Sequence, residues 1–310
     1  MPQERFLVTG AMGCLGAWVT KLLLDEGVDV AIFDLSDNDA RLRAIIDDND
    51  LARAKRIKAD ITVRGHVGAA VAGRTHVIHL AALQVPFVRA DPAQGAAVNV
   101  TGTVNVFEAV REHGVEHLSY ASSFAVYGHP RNYDTDVLPA GAARLPDTLY
   151  GVYKMANEDT ARVFWQDDGV PSIGLRPYTV FGPLRDQGLT SQPTLSIEAA
   201  VRGEPYHIEY GGTATYQFAP DVALQFIMAA REGGEGAGVY TLGGDTVSVG
   251  DFVSIVHEVT GRSDITIGGG SLPFPGRGDD GPLLARFGVV PHTPLREAIV
   301  ATAEFFEARL

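Results

Sequence analysis

Short apolar runs alternate with longer amphipathic stretches through the first half of the chain. Phe6-Leu7-Val8 is the first run, and residues 15–24 form the first amphipathic stretch. Runs at 29–34, 54–58, 76–80, 116–121 and 171–175 predict further strands. Helical periodicity at 39–50, 64–71, 92–113 and 148–168 falls between them, and Pro92 suits the first position of its helix. Strands regularly separated by helices need crossover connections, so the pattern predicts an α/β fold with a doubly wound parallel sheet covered on both faces. Beyond Arg176 the rhythm breaks, with Pro177, Pro183, Pro193, Pro205 and Pro220 punctuating short elements. Helices are expected at 193–202, 221–231, 250–260 and 294–309, a strand at 239–242, and a glycine- and proline-rich loop over 268–282.

Between the first strand and first helix lies Thr9-Gly10-Ala11-Met12-Gly13-Cys14-Leu15-Gly16. Gly10 allows a tight turn, Gly13 lets backbone approach a phosphate, and Gly16 lets the helix lie close on the strand. Free amides at Gly13, Cys14 and Leu15 would then meet a pyrophosphate at the helix N-terminus, as in a Rossmann-type dinucleotide site. Asp34 ends the second strand, where an acid can hold the adenosine ribose hydroxyls. Leu35 and Ser36 follow it and offer no cation to a 2′-phosphate, which favours NAD over NADP; Arg41 and Arg43 read as a solvated helix face. Asp60-Ile61 after the third strand could meet the adenine edge, and Leu80-Ala81-Ala82 after the fourth let the chain pass close to the cofactor. His79 reads as a buried structural histidine. The expected division is an NAD-binding domain over 1–177, rejoined by a segment near 214–246, and a smaller mixed α/β substrate domain over 178–310.

Composition removes alternatives. A net charge of -13 over 310 residues argues against a nucleic-acid or anionic-membrane surface. Cys14 is the single cysteine, so neither an intramolecular disulfide nor zinc-finger spacing is available, and no metal site is expected. No signal-peptide pattern or membrane-length apolar run occurs, so a cytoplasmic location is expected.

Chemistry concentrates in two later stretches. In Tyr150-Gly151-Val152-Tyr153-Lys154 a tyrosine and a lysine four apart share one helix face. A free phenol, with pKa of about 10, is a poor base at neutral pH, but a nearby ammonium and an oxidised nicotinamide would both favour the phenolate. Ser122-Ser123 ends the fifth strand without a G-x-S-x-G elbow, so Ser123 is better placed to orient a substrate oxygen than to act as a nucleophile.

Together with Asn99, in Asn99-Val100-Thr101-Gly102-Thr103, and Arg176-Pro177, these motifs resemble the extended short-chain dehydrogenase/reductases, the NAD-dependent epimerase/dehydratase group. The resemblance implies Ser123, Tyr150 and Lys154 as the catalytic trio. It places Asn99, Ser122, Tyr150, Lys154, Pro177 and Val180 beside the cofactor and Ser123 and Thr179 on the substrate side; Gln84 and Arg185 are further candidate substrate contacts, Arg185 with the alternative of a loop cation paired with Asp186. It also implies a homodimer through a four-helix bundle of the 92–113 and 148–168 helices. Departures narrow the reaction. Phe124-Ala125 follow Ser123 where the family's 4,6-dehydratases carry Asp-Glu, and Thr179 stands where nucleotide-sugar epimerases usually carry Asn. The run Ala214-Thr215-Tyr216-Gln217-Phe218 lacks the arginine that binds a sugar-nucleotide diphosphate there, leaving Arg131, Arg144, Arg185 or Arg202 as substitutes. The expected activity is therefore hydride transfer between NAD and a secondary alcohol or ketone of a sugar, sugar acid or similar small hydroxy compound. The rival is a sugar or nucleotide-sugar epimerase with transiently reduced bound NAD. A dinucleotide sensor without catalysis would predict a broken trio, and the trio is complete.

Overall fold

The computed structural model describes residues 3–262 and 264–310. In β1 (Arg5–Thr9) side chains alternate, Phe6 and Val8 packing into one helical layer and Leu7 into the other. Then follow α1 (Cys14–Asp25), β2 (Asp29–Asp34), α2 (Ala40–Ile45), α3 (Asp48–Leu51), β3 (Lys55–Lys58), α4 (Arg64–Val71) and β4 (His76–His79). The middle of the chain holds α5 (Val85–Ala90), α6 (Pro92–Ala96), α7 (Gly102–His113), β5 (His117–Ala121), the short β6 (Val137–Leu138), α8 (Leu149–Asp168) and β7 (Ser172–Arg176). The remainder is β8 (Thr179–Phe181), α9 (Gln192–Arg202), β9 (Tyr206–Ile208), β10 (Thr213–Phe218), α10 (Ala219–Glu232), β11 (Ala237–Thr241), β12 (Asp245–Ser248), α11 (Val249–Thr260), β13 (Ile265–Ile267), β14 (Arg277–Gly278), α12 (Gly281–Phe287) and α13 (Leu295–Glu307).

Seven parallel strands in the order β11-β7-β5-β4-β1-β2-β3 make the central sheet. Helices α1 and α10 cover one face through Val19, Leu23, Val222 and Phe226, and α4 and α7 cover the other through Val67, Val71, Val106 and Val110. The strand order reverses between β1 and β4, which opens a crevice at their carboxyl ends. A second core joins β8, β10 and β12 to α9, α11 and α13, with Tyr216 stacked on Phe252 at 4.6 Å. No helix among the described residues is long and apolar enough to cross a membrane.

Two predicted helices are interrupted. The 39–50 stretch divides because Ile46 is extended and buried in the core, after which the Asp47 carboxylate caps a new helix by accepting from the Asp50 amide. The 92–113 stretch is one wound segment, but residues 97–101 form a wider π turn around buried Asn99.

His79 ties this region together. Its Nδ1 lies 2.7 Å from Thr9 Oγ1, and its Nε2 lies 3.0 Å from Thr103 Oγ1. The Thr103 hydroxyl donates to the Asn99 carbonyl, so Nε2 is assigned as the donor and Nδ1 as the acceptor from Thr9. That network holds a neutral ring, and burial pushes its pKa down to about 3. His76, stacked between Phe6 and His117, is pushed down to about 4 for the same reason. Both depressed values lie below the unfolded value of 6.5, so the unfolded chain binds protons first as pH falls. Stability from these histidines is complete above the unfolded value and drains away toward the folded ones. Urea midpoints are expected to drop between about pH 7 and about pH 5, with a shallower drop in His79→Gln. Equal slopes for the variant and the native chain would remove His79 as a cause.

Candidate active site

The crevice continues into a cavity of about 470 Å³ that runs from the glycine turn to the start of α8. Gly10 has φ +71°, and a Cβ there would lie 2.7 Å from the Ala81 amide nitrogen, so the turn can press against the chain leaving β4 only as glycine. A Cβ on Gly16 would overlap the Gly10 carbonyl, which sets how closely α1 lies on β1. Gly13 is the N-cap of α1 and no side chain caps that helix. A Cβ at Gly13 would meet only the Gly10 carbonyl at 3.2 Å, so this wall of the cavity leaves room and donors for a phosphate. Asp34 accepts from the Met12 amide at 3.0 Å and the Ser36 amide at 2.9 Å, holding its carboxylate beside the turn. The cations near it are already paired: Arg41 with Asp186, Arg43 with Asp39 and Asp48, Lys58 with Asp37.

The predicted residues Cys14, Leu15, Asp60, Ile61, Leu80, Ala81, Ala82, Gln84, Ser122, Ser123, Tyr150, Lys154, Pro177, Val180 and Arg185 line the same cavity. Two lie off its wall. Asn99 is fully buried, and its amide brackets Leu83 by donating to that carbonyl at 2.8 Å and accepting from that amide at 2.7 Å. It therefore positions the loop that carries Gln84. Thr179 is fully buried in β8, pairing in register with Tyr216, and does not line the cavity. The Cys14 thiol is pushed up to about 12 by burial, in keeping with a packing residue.

Tyr150 stands in the first turn of α8, which the Thr148 hydroxyl caps by accepting from the Gly151 amide at 3.1 Å. Lys154, one turn on, is buried; its Nζ donates to the Ala121 carbonyl at 2.6 Å and sits 5.7 Å from the Tyr150 ring centre. Burial pushes the Lys154 ammonium down to about 8, against the attraction of Glu158. Burial also raises the Tyr150 phenol, while the Ser123 hydroxyl and then the Arg185 guanidinium pull it down. Ser123 and Arg185 thus join Lys154 around the phenol from outside α8, a grouping that helix spacing cannot reveal.

Beneath this surface lies a group that the sequence reading passes over. Glu158, buried on α8, accepts from Ser122 Oγ at 2.5 Å, from Arg176 Nε and Nη2 at 2.7 Å each, and from Arg144 Nη1 at 3.0 Å. Its spacing four residues beyond Lys154 is the signal that was available. Phe274, also on the wall, arrives from the glycine-rich loop and has no local signal.

A sequence profile described as the NAD dependent epimerase/dehydratase family matches residues 6–243. The chain belongs to this family. It is 31% identical to a UDP-glucose 4-epimerase of Mycolicibacterium smegmatis over 75% of each protein. It is 28% identical to a uronate dehydrogenase of Pseudomonas syringae pv. tomato over 56% of this chain and 59% of that one. Among the first curated relatives, the matched stretch covers from 55% to 75% of their length. The UDP-glucose 4-epimerase of Thermus thermophilus, solved as a complex with NAD, superposes with a TM-score of 0.83 at 26% identity, covering 99% of this chain and 100% of that one.

The glycine cradle and Asp34 fit the family's cofactor. Asp34→Ala is expected to weaken NAD binding by at least about tenfold, the worth of charge-assisted hydrogen bonds to a ribose, and to narrow the preference over NADP. Fluorescence titration with the reduced cofactors reads both constants; an unchanged NAD constant would move the ribose contact elsewhere.

Proposed function

We propose that this family member is an NAD-dependent oxidoreductase acting on the secondary alcohol, or the matching ketone, of a sugar, sugar acid or similar small hydroxy compound. The observation that carries the reading is the charge on the cavity wall. Among the described residues, Lys154 and Arg185 are its only cations, and Lys154 belongs to the catalytic trio. A sugar-nucleotide diphosphate calls for several charge-assisted donors. Of the possible substitutes, Arg144 is engaged by Glu158 and Asp159, Arg202 pairs with Glu198, and Arg131 is off the wall. Ala214 is buried in β10, where the family's epimerases carry an arginine.

When bound, NAD supplies the two-electron acceptor. Tyr150 takes the carbinol proton, Ser123 holds the oxygen in line with the phenol, and Lys154, kept charged by Glu158, supports the phenolate and would hold the nicotinamide ribose of the bound cofactor. The wall of Tyr178, Leu189 and Phe274 keeps water from the reacting carbon.

The epimerase reading draws on the Mycolicibacterium and Thermus relatives, and it uses the same trio. One experiment separates the two. Purified protein is given NAD and panels of free sugars, sugar acids and sugar nucleotides while NADH absorbance is followed and products are chromatographed. Net NADH from a free hydroxy compound supports the oxidoreductase. Interconversion of sugar-nucleotide isomers without net NADH sinks it.

The proposal extends to the assembly and the domain plan. Leu149, Val152 and Val163 on α8 and Phe87 on α5 are exposed apolar side chains, which supports a homodimer through a four-helix bundle of the α6–α7 and α8 segments. Light scattering is expected to give twice the chain mass, and Val152→Glu with Val163→Glu a monomer. Residues 1–177 serve the cofactor and 178–310 mainly the substrate, with β11 returning to the edge of the central sheet.

A further inference from the structure

Arg185 lines the cavity, close enough to act on both the Tyr150 phenol and the Cys14 thiol, and no carboxylate among the described residues pairs with it. Its sequence neighbour Asp186 is exposed and pairs with Arg41 at 2.6 Å, and Arg41 is itself anchored on the Met12 carbonyl at 2.9 Å. The groups Arg185 does meet are neutral. Nη2 donates to Thr190 Oγ1 at 3.3 Å, and Nη1 donates to the Gln84 side-chain oxygen at 3.3 Å when that amide is oriented to donate to the Gln187 carbonyl. Nε is buried and has no partner among the described residues. A guanidinium offers five N–H donors, so long bonds to neutral groups and an orphaned Nε leave its charge and its fork unsatisfied.

The backbone holds the side chain there at a cost. Leu184, directly before it, has φ +73°, the sole non-glycine residue with positive φ among the described residues. Gly182 at +121° and Gly188 at +98° bracket the same loop, and a Cβ on Gly188 would collide with Gln84 and come within 3.2 Å of Arg185 Nη2. Strain of this kind persists where the surroundings fix it, and it clusters at ligand clamps. The loop is shaped to press Arg185 and Gln84 together at the cavity wall.

We propose that Arg185, flanked by Thr190 and Gln84, receives a carboxylate of the substrate, so that the preferred substrates are hydroxy acids whose carboxylate lies across the cavity from the carbinol served by Tyr150. One planar guanidinium with two neutral polar neighbours matches a singly charged carboxylate, whereas a phosphate dianion asks for more positive charge than this wall holds. This inference rests on the oxidoreductase reading for its reacting carbinol. The cofactor pyrophosphate is the other anion within reach, because the same guanidinium also acts on Cys14 in the glycine turn. The test therefore includes it.

The NAD-loaded protein is assayed with a uronate and its uronamide, near-isosteres of which the amide lacks the charge and offers one acceptor oxygen in place of two, by initial rates and by titration calorimetry. The native chain is expected to favour the acid by about tenfold to a hundredfold in kcat/KM, the range for one charge-assisted pair. Arg185→Met is expected to erase that preference through KM, Arg185→Lys to keep part of it, and both to bind NAD within about twofold of the native constant. Urea midpoints on both variants separate loss of recognition from loss of fold. An acid preference that survives Arg185→Met overturns the proposal. So does weakened NAD binding with the acid preference intact, which would assign the guanidinium to the pyrophosphate. Turnover of neutral alcohols with no acid preference defeats this inference and leaves the oxidoreductase standing. Acid binding that needs Arg185 without any NADH formation does the reverse.

Discussion

Tyr150→Phe is expected to lower kcat by about a hundredfold to ten-thousandfold while NAD binding stays close to the native value. The substitution removes a single oxygen. The ring keeps its place in the first turn of α8, the Thr148 cap is untouched, and Lys154 keeps its bond to Ala121. On the proposed mechanism what disappears is the group that exchanges a proton with the substrate oxygen, so the loss should fall on kcat and not on KM. The pH dependence carries a second, signed expectation. Burial raises the phenol, and the Ser123 hydroxyl and Arg185 guanidinium oppose that rise. Removing either opposing group moves the phenol further up, so the limb on which alcohol oxidation gains rate with rising pH should shift to higher pH in Ser123→Ala and in Arg185→Met. Stopped-flow rates across pH with saturating substrate read this directly. A Tyr150→Phe enzyme that retains native kcat would transfer the proton role to another group.

The second large effect concerns stability. Glu158→Leu strands a buried arginine. Arg176 is 7% exposed and loses both guanidinium bonds to the carboxylate, keeping only its 2.7 Å bond to the Tyr127 hydroxyl; Ser122 loses its acceptor as well. Breaking a buried pair from one side costs about 3–5 kcal/mol, most of it from the charge left behind. Arg144 is less affected, since its other guanidinium nitrogen still holds Asp159 at 2.9 Å. Urea unfolding should show that loss, and adding Arg176→Met should restore part of it, because the double replacement removes the stranded charge. Function should fall too. Glu158 supports the charge on Lys154, whose pKa already lies at about 8, so without it Lys154 loses its proton closer to neutrality and the phenolate loses its cation. A Glu158→Leu protein within about 1 kcal/mol of the native stability would show that this network is dispensable.

The elements of this chain are local consequences of its pattern. Apolar runs separated by amphipathic stretches determine the parallel sheet, the Thr148 cap begins α8, and helix geometry alone puts Tyr150 and Lys154 on one face. The glycine turn is legible for the same reason, because backbone conformation and close approach select glycine at Gly10 and Gly16 whatever lies further along the chain. The rest depends on groups that meet only after the sheet has formed. Arg41 reaches across 145 positions to take Asp186, while Arg185 meets only neutral groups among the described residues. Arg176 and Arg144 converge on Glu158 from a strand and a loop, Asn99 in the π turn holds Leu83, and Thr179 is buried in β8 in register with Tyr216. A charge's partner is decided by distance in space and by the dielectric around it, and neither is written in sequence spacing. The sequence by itself determined the scaffold and the helix face that carries Tyr150 and Lys154; only the tertiary structure decided which charges are neutralised and which line the cavity without a partner.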